Sequence, residues 1–290
     1  MNNETTKQGF RILKINKHNR NNLLIKKKCG ETTGMNVQEH LNTTILDFYQ
    51  NLFSSDEPNR LTKVIEVIPH VGTPDMNVRL DREFTIEEVE VAIKQMAPLK
   101  SLGPDGMPPL FYQNYWSLIG SDVTHSIIHY LNSGVLPQSL CHSFITLIPK
   151  VKNPEYVSQF RLISLSNVLY RIFSKVLANR LKIIITNLIS EHQSAFMFDC
   201  LISDNILVAF ETLHYMRNHN KGKTGFMALK LDMSKGYHRV EWSFMEKVLV
   251  KMGFQDRWVK LMMACITTAS YSVLINGEPH CHITPSRGLR

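Results

Sequence analysis

The residues of this chain best suited to chemistry lie between Ala228 and Trp242, in the run Ala-Leu-Lys-Leu-Asp-Met-Ser-Lys-Gly-Tyr-His-Arg-Val-Glu-Trp. Alternation before the turn predicts a strand over 226–232. Met227, Leu229 and Leu231 share one face, and Ala228, Lys230 and Asp232 share the other. The strand would deliver Asp232 to a turn that carries Lys235 and Tyr237. A carboxylate held this way can ligate a hard divalent cation together with phosphate oxygens. That layout suits metal-dependent nucleotidyl transfer, which also needs more than one carboxylate. From spacing alone the plainer reading comes first: an aspartate that caps the following turn.

Lys150 and Arg161 are the next candidates. Each flanks a short predicted strand, from which its charge could project toward a polyphosphate. Taken singly, each also reads as an ordinary solvated base. Lys221-Gly-Lys-Thr-Gly225 has the ending of a phosphate-binding loop, but Arg217 stands where the earlier glycine is required, and the run precedes a strand instead of following one. It reads as a surface turn. His214 and His219 are five residues apart, the wrong spacing for one helical face. Cys281 lies between His280 and His282 and reads as incidental, not as a metal cluster.

Several elements must position these groups. Thr85-Ile-Glu-Glu88 is a capping-box pattern that opens a helix with Ile86, Val89, Ile93 and Met96 on one face. The loop Lys100-Ser-Leu-Gly-Pro-Asp-Gly106 breaks it. Helices are expected at about 108–119 and 122–133, and strands at 144–148 and 160–164. A long helix should follow, with Leu169, Ile172, Phe173, Val176 and Leu177 on one face. Ser203 is expected to cap a helix running to about 218. Helices near 243–252 and 255–268 precede a hairpin that turns at Asn276-Gly277. Residues 1–83 read as a basic, partly disordered segment, with one short amphipathic stretch around Leu41–Phe53.

The chain has 290 residues, 43% of them hydrophobic, with net charge +8 and a pI near 9.2. That size allows one large domain or two ordinary ones. The basic balance favours an acidic partner, of which nucleic acid is the commonest. Eight basic side chains in residues 1–30 face the single acid Glu4, so most of the surplus lies there. Five scattered cysteines (Cys29, Cys141, Cys200, Cys265 and Cys281) suggest a reducing compartment and no disulfide framework. The polar, basic start reads as no secretory signal, and no apolar run approaches a membrane span. The expectation is an intracellular protein, nuclear or cytoplasmic, without a membrane partner.

In order, the blocks Pro98–Met107, Leu147–Lys150, Phe160–Leu165, Lys175–Leu181, Gln193–Phe196, Ala228–Trp242, Ile275–Pro279 and Ser286–Arg290 resemble the reverse transcriptase of plant LINE-type (non-LTR) retrotransposons, from about Phe84 to Arg290. The resemblance implies an α+β fold: right-hand polymerase fingers over 84–225 and a partial palm over 226–290, with the thumb absent. It also implies site roles. Asp232 would be the first palm carboxylate, on catalytic Mg²⁺. Lys150 and Arg161 would hold the incoming deoxynucleoside triphosphate. The backbone of Met233, Ser234, Lys235 and Gly236 would line its phosphates. Tyr237 would be the gate beneath the sugar. Implied partners are an RNA template and a DNA primer.

The chain departs from the family pattern at several points. Lys235-Gly-Tyr-His238 stands where the family has an aspartate in the last position. Leu102 and Leu162 replace prolines, and Phe198-Asp-Cys200 replaces Pro-Gly-Arg. No adjacent Asp-Asp pair occurs. The resemblance therefore implies that the later palm carboxylates are missing and that the chain alone does not polymerise. The alternatives are a non-catalytic RNA-binding remnant, or an unstable relic whose Asp232 strand lacks covering partners.

Overall fold

The computed structural model describes residues 37–58, 61–190, 192–195, 197, 200–219 and 226–289. The basic run 1–30 with Cys29, Phe198-Asp199, the Lys221–Gly225 loop and Arg290 lie outside the described residues. The fold mixes helix and sheet.

Three helices come from the segment expected to be a partly ordered linker: α1 (Val37–Phe53), α2 (Leu61–Glu66) and α3 (Pro74–Asp81). The first covers the amphipathic stretch expected around Leu41–Phe53, and the other two lie where no element was expected. Ile45, Tyr49 and Leu52 recur at helical spacing on α1 and are buried, so the segment has an apolar face and a core to place it in.

Helix α4 (Ile86–Lys94) starts at the capping box: Glu88 N donates to Thr85 Oγ1 at 3.4 Å, and Thr85 N donates to Glu88 Oε2 at 3.0 Å. Helices α5 (Pro109–Asn114) and α6 (Trp116–Ser133) follow, and α6 stops at Gly134 in the left-handed region. The short α7 (Gln138–Cys141) leads into β1 (His142–Pro149), which pairs antiparallel with β2 (Phe160–Ser166). Helix α8 (Val168–Leu188) is the longest element. Helix α9 is Ile202–Asn218, so Ser203 lies inside it. At its start it is Asp204 that reaches back, its Oδ2 accepting from Leu201 N. Helices α10 (Trp242–Met252) and α11 (Asp256–Thr267) precede the hairpin of β3 (Ser270–Ile275) and β4 (Glu278–Ile283). The hairpin turn has φ of 57° at Asn276 and 90° at Gly277, the pairing that a two-residue turn of this hand requires.

The sheet order is β2-β1-β3-β4, with β1 and β3 parallel. It draws two strands from 142–166 and two from 270–283. Two cores result. One is helical and gathers Leu80, Val89, Ile93, Leu131, Phe173 and Trp258. The other lies between α1 and the sheet, where Ile45, Tyr49 and Phe53 meet Ile145, Tyr271 and Val273.

Arg180 joins elements at the helical core. It is 2% exposed and spans Glu88 with two nitrogens, Nε to Oε1 at 2.8 Å and Nη2 to Oε2 at 2.7 Å. Its remaining donors reach the carbonyls of Leu80, Arg82 and Glu83, and its guanidinium lies 3.6 Å from the centre of the Phe84 ring.

The expected strand over 226–232 is not formed among the described residues. Residues 226–233 have no regular structure, and Met227, Leu229, Leu231 and Met233 are exposed. The alternation is present, but a strand also needs a ladder partner and a covering layer. In this sheet β1 and β3 are filled on both sides, and residues 226–233 pair with neither outer strand. Helix α9 likewise turns Ile206, Leu207, Phe210 and Leu213 outward, so the face expected to be buried is exposed.

Candidate active site

The β1–β2 ladder fixes Lys150 and Arg161. Ile148 sits opposite Arg161, and Pro149 ends β1 opposite Phe160. Lys150 N then donates to the Gln159 carbonyl at 2.8 Å, and its Nζ donates to the Ser158 carbonyl at 3.3 Å. The two cations therefore leave the same end of the sheet, and both side chains are exposed.

A third cation joins them from the far part of the sequence. Lys235 has φ of 54°, in the left-handed region, and opens a short 3₁₀ turn over Gly236–Arg239. Its Nζ lies 4.2 Å from the centre of the Phe48 ring and 5.3 Å from that of Tyr49. The amine is buried without a hydrogen-bond partner. Burial first, then the charges of Lys150 and Arg239, pull its pKa down to about 8. Tyr49, under Lys235, shares the sheet-side core with Val157, next to the Ser158 carbonyl that Lys150 reaches, so the end of β1 and the 235 turn meet in one electropositive region.

The turn is pinned from the C-terminal side. Leu289 N donates to the Tyr237 carbonyl at 2.8 Å and Gly288 N to the Val240 carbonyl at 2.8 Å, while Trp242 Nε1 donates to the Gly288 carbonyl at 2.8 Å. Gly288 has φ of 97°, and a Cβ there would stand 2.8 Å from the His238 carbonyl oxygen, so only glycine lets the two chains approach. Arg287 completes the clamp. Its Nε donates to the Leu52 carbonyl, and its Nη1 bonds the carboxylates of Asp56 and Glu241. The end of α1, the start of α10 and the last residues of the chain are thereby tied together.

His238 stands where the resemblance expects an aspartate. Its ring packs edge-on to Phe53, 5.8 Å between centres, and Nδ1 is buried without a partner. Burial, and then the nearby Lys235 charge, lowers its pKa below that of an ordinary histidine. A neutral ring gives Lys235 no counter-charge.

Asp232 is exposed and makes no hydrogen bond or ion pair among the described residues. The turn-cap reading fails as well, because the Gly236 amide bonds the Met233 carbonyl and not the Asp232 side chain. Among the described residues no group of three or more His, Cys, Asp or Glu side chains could hold a metal ion. One free carboxylate does not fit a two-cation centre. Met233, Ser234 and Tyr237 are exposed beside it, and the Tyr237 carbonyl is engaged by Leu289. Among the described residues, no helix is long and apolar enough to cross a membrane.

The structure thus brings Lys150, Arg161 and Lys235 to one end of the sheet and leaves Asp232 on an unpaired segment. Sequence reasoning missed Phe48 and Tyr49 as neighbours of Lys235. The signal was the helical spacing of Ile45, Tyr49 and Leu52, which marked α1 as amphipathic but could not say what it covers.

Known proteins resemble this chain over the same residues. Residues 148–290 match the family model described as reverse transcriptase (RNA-dependent DNA polymerase). The chain is 28% identical over 247 residues to the "Transposon TX1 uncharacterized 149 kDa protein" of Xenopus laevis, an alignment that covers 84% of this chain and 18% of that protein. An alignment of 247 residues cannot fit within 148–290, so the likeness extends upstream of the family match. Lys150, Arg161, Asp232 and the Lys235 turn all fall within the segment that matches the reverse transcriptase domain.

Proposed function

We propose that the chain is part of the RNA-directed DNA polymerase of a non-LTR, LINE-type retrotransposon, akin to those of plants. In this reading 84–225 act as fingers and 226–290 as part of a palm. The observation that carries it is the convergence of Lys150, Arg161 and the Lys235 turn from separate sequence blocks on one end of the sheet. Exposed cations there can neutralise the charge of a nucleoside triphosphate. The backbone of 233–236 would approach the phosphates, Tyr237 would contact the sugar, and Asp232 would contribute one carboxylate. The Lys235 side chain has no such role, because Phe48 and Tyr49 cover its amine. The reading draws further support from the family match over 148–290.

The same geometry argues that this chain alone does not polymerise. Mg²⁺ is the family's expected cofactor, yet Asp232, which has no second carboxylate grouped with it among the described residues, cannot by itself hold two cations in fixed relation. Two measurements on the purified chain test the proposal. Deoxynucleoside triphosphate binding should be detectable, and Lys150→Ala and Arg161→Ala should each weaken it about tenfold, the equivalent of about 1.4 kcal/mol. Primer extension on an RNA template with Mg²⁺ should give no product. Absence of triphosphate binding would remove the assigned roles of Lys150 and Arg161. Extension that disappears in Asp232→Ala would overturn the inactivity of the isolated chain.

A further inference from the structure

One edge of the sheet is open and the other is guarded. The order β2-β1-β3-β4 leaves β2 and β4 with one neighbour each. On β4, Pro279 has no N–H to give, and the register slips between His280 and Ile283, where Cys281 has φ of 57°. Both features discourage a further strand. On β2, the ladder determines which backbone groups face outward. Lys150 N donates to the Gln159 carbonyl, so those two opposed residues form a hydrogen-bonded pair. Such pairs alternate along an antiparallel ladder. Ile148–Arg161, Thr146–Ile163 and Phe144–Leu165 are therefore bonded, and Phe160, Leu162, Ser164 and Ser166 turn their N–H and C=O away from β1.

The chain itself closes both ends of that outer row. Phe160 N donates to the Val157 carbonyl, and the Ser166 carbonyl accepts from Arg171 Nε and Nη2 at 2.9 and 2.6 Å. The outward N–H and C=O of Leu162 and Ser164 have no partner among the described residues. Space lies beside them, a recess of about 360 Å³ bordered by Ile163, Ser164 and Ser166 among others. Leu162 stands where the family pattern has proline, which would remove one of these donors. An unpaired row of this kind is a template for another strand.

The same chain carries a matching strand. Residues 226–232 alternate, make no backbone hydrogen bond among the described residues and present Met227, Leu229 and Leu231 to solvent. Within its own chain the segment is anchored at both ends and does not meet β2. The Phe226 ring contacts Tyr215 of α9, 6.0 Å between centres, and the 235 turn is clamped by Phe48 and Leu289. The free β2 edge that can reach it is that of another copy. Outside residues 1–30 the chain is nearly neutral, so two copies meet there without strong repulsion.

We propose that residues 226–232 of a second copy pair antiparallel with β2 and extend the sheet by one strand, and that two copies exchange this contact and close as a dimer. The register follows from the faces. Leu229 opposite exposed Ile163 places Met227 opposite Leu165 and Leu231 opposite Arg161, so that apolar side chains gather on one face. On the other face Ser164 meets Ala228 and Leu162 meets Lys230. The same register sets Asp232 of the second copy opposite Phe160, at the end of the sheet from which Lys150 and Arg161 leave. That carboxylate and those two cations are complementary in charge. The contact goes beyond the polymerase reading and does not depend on it.

Sedimentation velocity of the full chain over a concentration series should show a monomer–dimer equilibrium. Leu162→Pro removes one edge N–H and leaves the β1 ladder intact, so it should weaken the dimer about tenfold. Leu162 also packs against the sheet-side core, so a cross-link reads the contact without altering that residue. Ile163 and Leu229 would form a non-hydrogen-bonded pair with Cα atoms about 4.5 Å apart, within reach of a disulfide. A chain with Ile163→Cys mixed with one carrying Leu229→Cys should give a covalent dimer on mild oxidation. Ile163→Cys mixed with Ala228→Cys, whose side chain faces the other way, should give no more than wild type, which has exposed Cys200 and Cys281. Phe210→Glu, on the exposed face of α9, should leave the dimer intact. A chain that stays monomeric at every concentration would overturn the proposal. So would equal cross-linking at 228 and 229, or a dimer lost in Phe210→Glu and kept in Leu162→Pro. A chain carrying both Ile163→Cys and Leu229→Cys that links only within itself would show that the segment serves its own β2, and the second copy would be ruled out.

Discussion

The Lys235 amine stands 4.2 Å from the centre of the Phe48 ring, which couples the first described helix to the turn after Asp232. The contact joins residues nearly two hundred positions apart. A ring face attracts a cation, but it does not replace the hydrogen bonds that water gave the ammonium. Hence the low pKa of about 8.

Replacing Lys235 with methionine should therefore stabilise the fold near neutral pH. The unfolded lysine titrates near 10.5 and the folded one near 8. Between these values the unfolded chain binds more protons, so wild-type stability rises with pH across that window. Below pH 8 the full penalty of burying the charge applies. After allowance for solvent screening it is on the order of 1 kcal/mol. Thermal melts at pH 7 should show Lys235→Met higher by about 2–4 °C, with the difference shrinking toward pH 10.5. A variant that melts lower at pH 7 would mean that the ring contact outweighs desolvation.

Arg180 and Glu88 make the opposite case, a buried charge fully matched. Arg180→Met takes two donors from Glu88, which keeps only the exposed Arg82 and the Thr85 amide, and leaves three carbonyls without this donor, so it should cost about 3–5 kcal/mol in chemical denaturation. Arg180→Met with Glu88→Gln should recover part of that loss, because the part-buried carboxylate that has lost its two-nitrogen partner is then neutral. Burial pushes the Glu88 carboxyl up, but hydrogen bonds from Arg180 and from the Thr85 amide outweigh it and hold the pKa below the usual value. The contribution is complete above the unfolded pKa of 4.5 and is lost as pH falls through the lower folded value. Acid unfolding followed by circular dichroism should be less steep in Glu88→Gln than in wild type.

What was legible in the sequence was local. The Thr85–Glu88 box, the Gly134 stop and the Asn276-Gly277 turn each encode their geometry within a few residues, and each is found in the fold. The alternation over 226–232 is just as regular, yet no strand forms there among the described residues. Alternation sets which side chains share a face, whereas pairing depends on a free edge that other segments must supply. The site divided the same way. Lys150 and Arg161 could be placed from their strands, while the cover of Phe48 over Lys235 is long-range packing that no spacing encodes.

Gly103→Ala tests how firmly the 100–106 loop is seated. The added methyl would meet backbone atoms of Ser166 and Asn167, which cannot move aside as a flexible side chain could. A cost of about 1–3 kcal/mol is expected from the overpacking. The same shift would draw the Ser101 carbonyl away from Arg171 Nη2, which donates to it at 2.9 Å. Chemical denaturation should show that loss, whereas triphosphate binding at Lys150 and Arg161 should be retained. Loss of triphosphate binding as well would show that the loop supports the whole sheet.

His238→Asp addresses the position where this chain differs from the family it resembles. The histidine is half-buried and its pKa is lowered by burial and by Lys235, so at neutral pH the ring is uncharged. An aspartate in the same place would supply the counter-charge that Lys235 lacks. An opposite charge within a few ångströms favours the protonated amine, so the Lys235 pKa should climb from about 8 back toward 10.5. NMR titration of a lysine-labelled chain would read the change directly. The variant should also lose the stability increase between pH 8 and 10.5, because folded and unfolded lysines would then bind protons equally. A Lys235 pKa that stays near 8 would show that the 238 side chain points its charge into solvent, leaving burial against Phe48 and Tyr49 in control.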